Sequence, residues 1–400
     1  MSTAVLIAVT HLLGSGHLVR AAHLARALAE GGFAVTLASG GMPMRAMAGE
    51  PFEFAQLPPI KVEGVDFRNL LDEAGGPIDP DRLAARRAML STLASTLRPG
   101  VVITEHFPFG RRQLAEEFLA LIAAARRADP RALVLSSVRD VLVTPRPKRI
   151  LEAGQLLAEH FDGVLVHGDR DFLPLNASWP VSPELAPRLH YTGYLAAPSL
   201  RAERSKPEAS ESPPGPLRSA RNDGTGEILV SGGGSGAALP LFRLCLEAAR
   251  LCNASQRWRL LAGRGLTEAD FAALREAASP NVAVERARPD FPELLARCAL
   301  SISQAGYNTV LDLVAAGRPA IVVPFDEGAE TEQAVRAHAM ERAGLARCLR
   351  LSDEDAVTPA AFATAVEAAL RGPPPASVAI DRDGAKAVTG IVRRLLTERA

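Results

Sequence analysis

Two strings in this chain set polar, chemistry-capable residues where backbone can come close to a ligand. The first is Thr10-His-Leu-Leu-Gly14-Ser-Gly16-His17-Leu-Val-Arg20, directly after the apolar run Ala-Val-Leu-Ile-Ala-Val at 4 to 9. Gly14 and Gly16 leave the backbone uncovered, and His17 opens a helix. A helix N-terminus disfavours an imidazolium, so the ring stays neutral and able to accept a proton near pH 7. His17 can therefore accept a proton from a ligand, although for a lone histidine, capping the helix or packing on a neighbour is the better reading from these residues alone. Glu105 and His106 follow another apolar run (99 to 104) and fall at the carboxyl edge of the same sheet, where ligands of open α/β sheets lie. With Gly14 and Gly16 they are candidate contacts for the molecule that His17 would deprotonate.

The second string runs from Ser301 to Gln333. An apolar strand up to Ile302 is followed by small and polar residues, then by a helix whose apolar face is Val310, Leu313 and Val314 and which Gly317 and Pro319 stop. The N–H groups from Ala305 through Gly306, Tyr307, Asn308 and Thr309 lack intrahelical partners, and such an end attracts phosphate. The plain alternative is that Gly306 only eases a strand-to-helix turn. Asp312, six residues past Gly306, is placed to accept hydrogen bonds from ribose hydroxyls. Glu332 and Gln333 open the next helix at the same sheet edge. Upstream, Ser231-Gly-Gly-Gly-Ser-Gly236 packs glycines densely enough for N–H groups near Gly234 and Ser235 to converge on one anion.

The elements that must position these residues are legible from periodicity. Strands are expected at 4 to 9, 33 to 38, 99 to 104, 132 to 137 and 163 to 166, then at 227 to 230, 258 to 261, 282 to 285, 299 to 302 and 320 to 323. Helical patterns lie between them, so the class is α/β with two doubly wound, Rossmann-like sheets. Four hundred residues exceed what one core usually serves. The expected division is a first domain over 1–197, a flexible linker over 198–226 rich in Pro, Ser and Glu, a second domain over 227–378, and a terminal segment over 379–400 with a helix near 386 to 396. Helix 81 to 97 carries Arg82, Arg86 and Arg87. They are expected on a solvated face, with an acidic membrane surface or a charged acceptor as the alternative.

Composition narrows the function classes. Basic and acidic residues are equal at 45 each, for a net charge of zero, which argues against nucleic acid as a partner. The apolar fraction is 48% and mean hydropathy is +0.08, with no run long enough to span a membrane. The N-terminus lacks a basic leader, so a cytoplasmic location is expected. Cys245, Cys252, Cys298 and Cys348 show neither disulfide nor zinc spacing. The glycine loop at 14 to 19 has Val19 in the third fingerprint position, and Ser39-Gly40 stands where an acidic residue would hold a ribose, which weighs against NAD or FAD. Asp169-Arg-Asp171 is similar to a metal-binding DxD, a spacing that arises often by chance, and no metal is expected.

The pattern Ala305-Gly-Tyr-Asn-Thr309, Ala315-Ala-Gly-Arg-Pro319, Val323-Pro-Phe325 and Glu332-Gln333 resembles the donor-nucleotide half of the two-domain GT-B glycosyltransferases. The likeness is greatest to the lipid-linked N-acetylglucosaminyltransferases of peptidoglycan synthesis, of glycosyltransferase family 28 type. Gly14-Ser-Gly-His-Leu-Val-Arg20 is similar to their first loop, and equally to that of a UDP-sugar hydrolase of pseudaminic acid synthesis. The resemblance implies two Rossmann-like domains facing across a cleft, with no cofactor beyond the nucleotide sugar. It implies that His17 is the base, that Gly234 and Ser235 meet the diphosphate, that backbone groups at Arg286 and Ala287 read the base, and that Glu332 and Gln333 meet the donor sugar. Ala197 stands where the family carries an arginine near the diphosphate, so that contact is not expected here. The activity implied is inverting sugar transfer from a UDP donor to an unknown acceptor, lipid-linked or glycan, with no nucleic-acid partner and with peripheral contact at the inner face of the membrane. Hydrolysis of the nucleotide sugar and non-catalytic binding that regulates a partner are the alternatives.

Overall fold

The structure is a computed structural model that describes residues 2–12, 16–44, 49–62, 69–195, 226–234, 236–326, 330–352 and 357–399. The chain divides into two compact units, one of residues 1–197 with 381–400 and one of residues 198–380. The expected linker lies outside the described residues except for Gly226.

The first unit is built on a seven-stranded sheet, all parallel, of β1 (Ala4–Val9), β2 (Ala34–Ser39), β3 (Glu53–Gln56), β4 (Val101–Glu105), β5 (Leu133–Arg139), β6 (Gly163–His167) and β7 (Leu189–Tyr191), in spatial order β3-β2-β1-β4-β5-β6-β7. β1 and β4 are buried almost end to end, the signature of strands covered on both faces. One face packs Leu6, Val102 and Val134 against α2 (Pro80–Leu97), α3 (Ala115–Ala128) and α4 (Pro147–His160) through Leu90, Phe118 and Leu157. The other packs Val5, Ile7 and Ile103 against α1 (Gly16–Glu30). In chain order the second unit's strands are β8 (Ile228–Ser231), β9 (Trp258–Ala262), β10 (Val282–Arg286), β11 (Leu300–Ser303), β12 (Ala320–Val322) and β13 (Arg347–Cys348), in spatial order β10-β9-β8-β11-β12-β13 and again all parallel. Its helices are α5 (Leu239–Leu251), α6 (Glu268–Glu276), α7 (Phe291–Arg297), α8 (Tyr307–Ala316), α9 (Glu332–Arg342) and α10 (Pro359–Arg371). Ile228, Val230 and Leu260 pack there against Phe242 of α5 and Phe362 of α10.

The terminal helix α11 (Gly384–Arg399) belongs to the first unit. Val388 and Val392 complete the core under α1, and Thr389 Oγ1 donates to the Ala27 carbonyl at 3.1 Å. A Cβ on Gly31 would strike the Thr389 side chain, so the glycine that ends α1 also admits α11. The DxD string serves the same junction: Asp169 accepts from the N–H groups of Asp171, Phe172 and Asp381. Among the described residues no three His, Cys, Asp or Glu gather as a metal-ligand set. No described helix is long and apolar enough to cross a membrane.

The basic face expected on helix 81 to 97 is corrected at Arg86. Its side chain is wholly buried and forks onto Glu117 at 2.7 and 2.8 Å, with the remaining N–H groups on the Gly40 and Pro58 carbonyls and Thr10 Oγ1. It therefore ties α2 and α3 to the loops leaving β1 and β2, and a helical spacing could not show which arginine turned inward. Arg82 pairs with Glu73 and Arg87 with Glu116 on the surface. Removing one partner of a buried ion pair typically costs about 3–5 kcal/mol. Arg86→Ala should lower the calorimetric melting temperature of the first unit, while the isosteric pair Arg86→Met with Glu117→Leu should recover most of the loss. An Arg86→Ala protein as stable as wild type would remove Arg86 from this role.

Candidate functional site

In the first unit the sheet order reverses between β1 and β4, so the connections after these two strands leave in opposite directions and open a crevice at their carboxyl ends. α1 starts there with Gly16 and His17, and β4 ends there with Glu105. His17 Nδ1 lies 3.0 Å from Glu105 Oε1. One helical turn on, Arg20 bonds the same oxygen and places Nη2 3.2 Å from His17 Nδ1. A carboxylate only accepts, and its 3.0 Å contact is the shorter of the two at Nδ1, so the proton is assigned to Nδ1 and donated to Glu105; the Arg20 contact is then two donors held close by the carboxylate they share, and Nε2 is left as the acceptor.

Glu105 is 2% exposed and Arg20 6%, whereas 14% of the His17 side chain reaches the surface. Burial alone would raise the Glu105 carboxyl, but Arg20 and then the Ser137 hydroxyl outweigh it and hold the group below the usual carboxylate range. His17 is pushed well below the ordinary histidine value, first by burial and then by the positive charges of Arg111, Arg20 and Arg139. The neutral ring expected from the helix end is thus produced here by burial and arginines.

Around this pair stand groups that the strand-end loops supply. His106, at φ 68° in the left-handed region, sets its ring 5.3 Å from that of His17, centroid to centroid. Gly110 permits this, since a Cβ there would run into the His106 ring. Arg111, also left-handed at φ 60°, donates from Nε to the Thr10 carbonyl at 2.8 Å. Burial brings its guanidinium down to about 10. His11 is turned to the Met42 carbonyl at 3.1 Å. The structure thus gathers His17, Glu105 and His106, as expected at one sheet edge, together with Arg20, Arg111 and Arg139, to which the sequence reading assigned no role. The edge rule that singled out Glu105 and His106 applies equally to Arg111 and Arg139. Gly16 opens α1 with no atom within 4 Å of a would-be Cβ, and Gly14 lies outside the described residues.

The second unit repeats the pattern at β8 and β11. Gly233, at φ 66°, turns the loop after β8, and the space beside Gly234 is open; Ser235 lies outside the described residues. A second glycine loop, after β9, packs directly against it. A Cβ on Gly263 would run into the Gly233 carbonyl, and Gly265 N–H donates to the Gly234 carbonyl at 3.1 Å. Arg286 braces this pair of loops: it donates to the Gly263 and Leu266 carbonyls, ion-pairs with Glu268 and lies 4.0 Å over the Phe271 ring. The Ala287 N–H is spent on the Ala262 carbonyl at 2.8 Å, so its carbonyl is the backbone group left for a ligand.

At the other side of the switch point α8 begins with Tyr307, Asn308 and Thr309, with Gly306 as N-cap and no capping side chain. The run of open N–H groups is shorter than expected. Ala305 N–H is taken by Gln333 Oε1 at 3.1 Å, and the same oxygen accepts from Phe325 N–H at 3.1 Å. Gln333 is thus a clamp between the loops after β11 and β12. Glu332, expected beside it at the sheet edge, is only 4% exposed. Arg336, buried one turn further along α9, donates to the Ala305 carbonyl at 2.8 Å, a support that α9's charged sequence did not disclose. Asp312 stands half-buried one turn into α8 on the face of Asn308 and Thr309. It has no hydrogen bond or ion pair to a described residue, and burial raises its carboxyl to about 6.

Residues 227–374 match the family model of the glycosyltransferase family 28 C-terminal domain. The chain is also similar to two bacterial proteins named UDP-N-acetylglucosamine--N-acetylmuramyl-(pentapeptide) pyrophosphoryl-undecaprenol N-acetylglucosamine transferase. The one from Paramagnetospirillum magneticum is 33% identical over 41% of this chain and 42% of the relative. The one from Rhodospirillum centenum is 30% identical over 51% of each. The matches thus span about half the length of these relatives or less. Among solved structures, Acinetobacter baumannii MurG superposes with a TM-score of 0.58 at 16% identity, over 99% of both chains. Phytolacca americana UGT2, complexed with UDP-2fluoro-glucose and pterostilbene, gives 0.58 at 15% identity over 100% of this chain and 95% of that one. The architecture is that of the GT-B glycosyltransferases, two Rossmann-like units with parallel sheets.

The half-buried position of Asp312 on α8 has a measurable consequence for stability. Its folded-state value of about 6 lies above the ordinary aspartate value, so between about pH 4 and 6 the folded chain holds a proton that the unfolded chain releases. Stability falls as pH rises through that window and stays lower above it. Asp312→Asn should therefore raise the melting temperature of the second unit at pH 7.5 and change it little at pH 4. Equal shifts at both pH values would show that Asp312 is not held against its ionisation.

Proposed function

We propose that this protein is an inverting glycosyltransferase that moves a sugar from a UDP-linked donor to an acceptor hydroxyl. The observation that carries this is the His17–Glu105 pair: a neutral imidazole with Nδ1–H pinned to a buried carboxylate and Nε2 free to take a proton. In the transfer, Nε2 removes the acceptor's hydroxyl proton as that oxygen attacks the anomeric carbon. The bond to the diphosphate breaks on the opposite face, which inverts the centre, and Glu105 stabilises the imidazolium that forms. The departing UDP is assigned to the second unit: N–H groups at the start of α8 and the loop at Gly234 and Ser235 for its charge, Asp312 for the ribose, the backbone at Arg286 and Ala287 for the base. Glu332 and Gln333 are assigned to the donor sugar. This transfer needs no metal and no cofactor beyond the nucleotide sugar.

The similarity to proteins named for UDP-N-acetylglucosamine supports UDP as the carrier. A phosphate-bearing acceptor fits the positive field of the first unit, where Arg20, Arg111 and Arg139 all act on His17. A lipid-linked one fits Val143 and Leu151, 47% and 69% exposed beside the exposed Arg146 and Lys148, which together suit peripheral contact with an anionic cytoplasmic membrane face.

Incubation with UDP-N-acetylglucosamine, with and without lipid-linked phosphorylated acceptors, tests the assignment. UDP release that requires acceptor is expected; stoichiometric free sugar in water alone would make the protein a nucleotide-sugar hydrolase, and binding without turnover a regulatory binder. His17→Ala should cut turnover by about two to four orders of magnitude with donor affinity nearly unchanged. Asp312→Ala should weaken UDP and UDP-sugar alike, by about 1–3 kcal/mol. Wild-type turnover in His17→Ala with its loss in His106→Ala would move the base to His106.

A further inference from the structure

Behind the His17–Glu105 pair runs a line of buried polar groups that the transfer step does not itself use. Glu105 Oε2 accepts from Ser137 Oγ at 2.6 Å, Ser137 Oγ lies 3.0 Å from His167 Nε2, and His167 Nδ1 lies 2.9 Å from Thr192 Oγ1. Ser137, His167 and Thr192 are all fully buried. They come from β5, from the end of β6 and from the residue after β7, so three neighbouring strands feed one carboxylate. A histidine buried this deeply in an α/β sheet must place both ring nitrogens, and here both point along the line toward Glu105 or away from it.

We propose that Ser137 and His167 are positioning residues for the base, acting through Glu105 to fix the proton of His17 on Nδ1. This rests on the assignment of His17 as the base. The directions of the hydrogen bonds follow from counting protons. Ser137 has one hydroxyl proton, and the short contact to an ionised Glu105 takes it. Its lone pair then needs a donor, which is His167 Nε2–H. His167 Nδ1 faces Thr192 Oγ1 at 2.9 Å, a hydroxyl whose single proton also has the Gly193 carbonyl at 2.6 Å, so the order of donors is set from the Glu105 end of the line. With Nδ1–H instead, His167 would present a lone pair to Ser137 and pull its proton off Glu105. The carboxylate would lose a donor in a site where an unsatisfied charge is costly, and its hold on His17 would weaken. Burial, with a further contribution from Arg20, brings His167 down to about 3, so the ring stays neutral at working pH and keeps one donor and one acceptor nitrogen.

Histidine nitrogen NMR on the uniformly labelled full chain at neutral pH tests this without substrate. In the wild-type protein His167 should carry its proton on Nε2 and His17 on Nδ1. Ser137→Ala and His167→Phe should each convert His17 to a mixture of tautomers, while His167→Gln, whose amide can still donate to Ser137, should keep the wild-type His17 signals. With UDP-N-acetylglucosamine and an acceptor that supports turnover, Ser137→Ala and His167→Phe should lower kcat by about tenfold to a hundredfold with KM for the donor unchanged, and His167→Gln should restore most of it. A proton on Nδ1 of His167 in the wild-type protein would overturn the proposal, as would unchanged His17 signals in folded Ser137→Ala. Absence of turnover with intact tautomers would instead count against the transferase assignment and leave the positioning line standing.

Discussion

A carboxylate buried to 2% exposure stays ionised only if its surroundings replace the water it has lost, and three side chains at the sheet edge do so for Glu105. Arg20 supplies the opposite charge on one oxygen, Ser137 a hydroxyl on the other, and His17 a ring N–H. Each arrives from a different element: α1 brings His17 and Arg20 one turn apart, β5 brings Ser137, and β4 ends on the glutamate itself. The parallel register that sets Ser137 opposite Glu105 is part of the fold's backbone pairing, so the charge cannot be stabilised without the sheet. The neutral, proton-accepting His17 is a by-product of the same arrangement, since burial and arginines disfavour its charged form.

The second unit handles charge by another means, with backbone in place of buried ions. Two glycine loops lie against each other so closely that a side chain at Gly263 would collide with the Gly233 carbonyl, and Arg286 pins them from the end of β10. Gln333 and Arg336 hold the N–H and carbonyl of Ala305 and so aim the start of α8. The side chains that looked like ligand contacts from their position are partly supports. Such a division of labour is physically sensible, because open N–H groups can only be kept in place by neighbours that are themselves fully bonded.

The strands and helices were legible because parallel strands buried on both faces must be continuous apolar runs and the helices between them must carry a 3.6-residue stripe. β3, β7 and β13 were not, being four, three and two residues long at sheet edges, too short for any period to register. Gln333 was legible as a polar residue at the ligand edge, but its amide oxygen is spent on two backbone N–H groups from loops 8 and 28 residues away. Arg86 was misread for a related reason: a helix with three basic residues in six does not reveal which one faces Glu117, a partner 31 positions later on another helix.

By itself the sequence determined the α/β class, the glycine strings at 14 to 16 and 231 to 236, a histidine opening the first helix and an uncapped helix after β11, since each depends on residues within a turn or two of one another. Only the tertiary structure decided that Glu105, 88 positions from His17, is its partner, that Ser137 and His167 stand behind it, and that Asp312 sits where burial raises its carboxyl to about 6. The reason is the switch in strand order. β1 and β4 are neighbours in the sheet although β2, β3 and α2 lie between them in the chain. A proton's place on an imidazole is set by what that adjacency brings within about 3 Å, and no local pattern of residues encodes it.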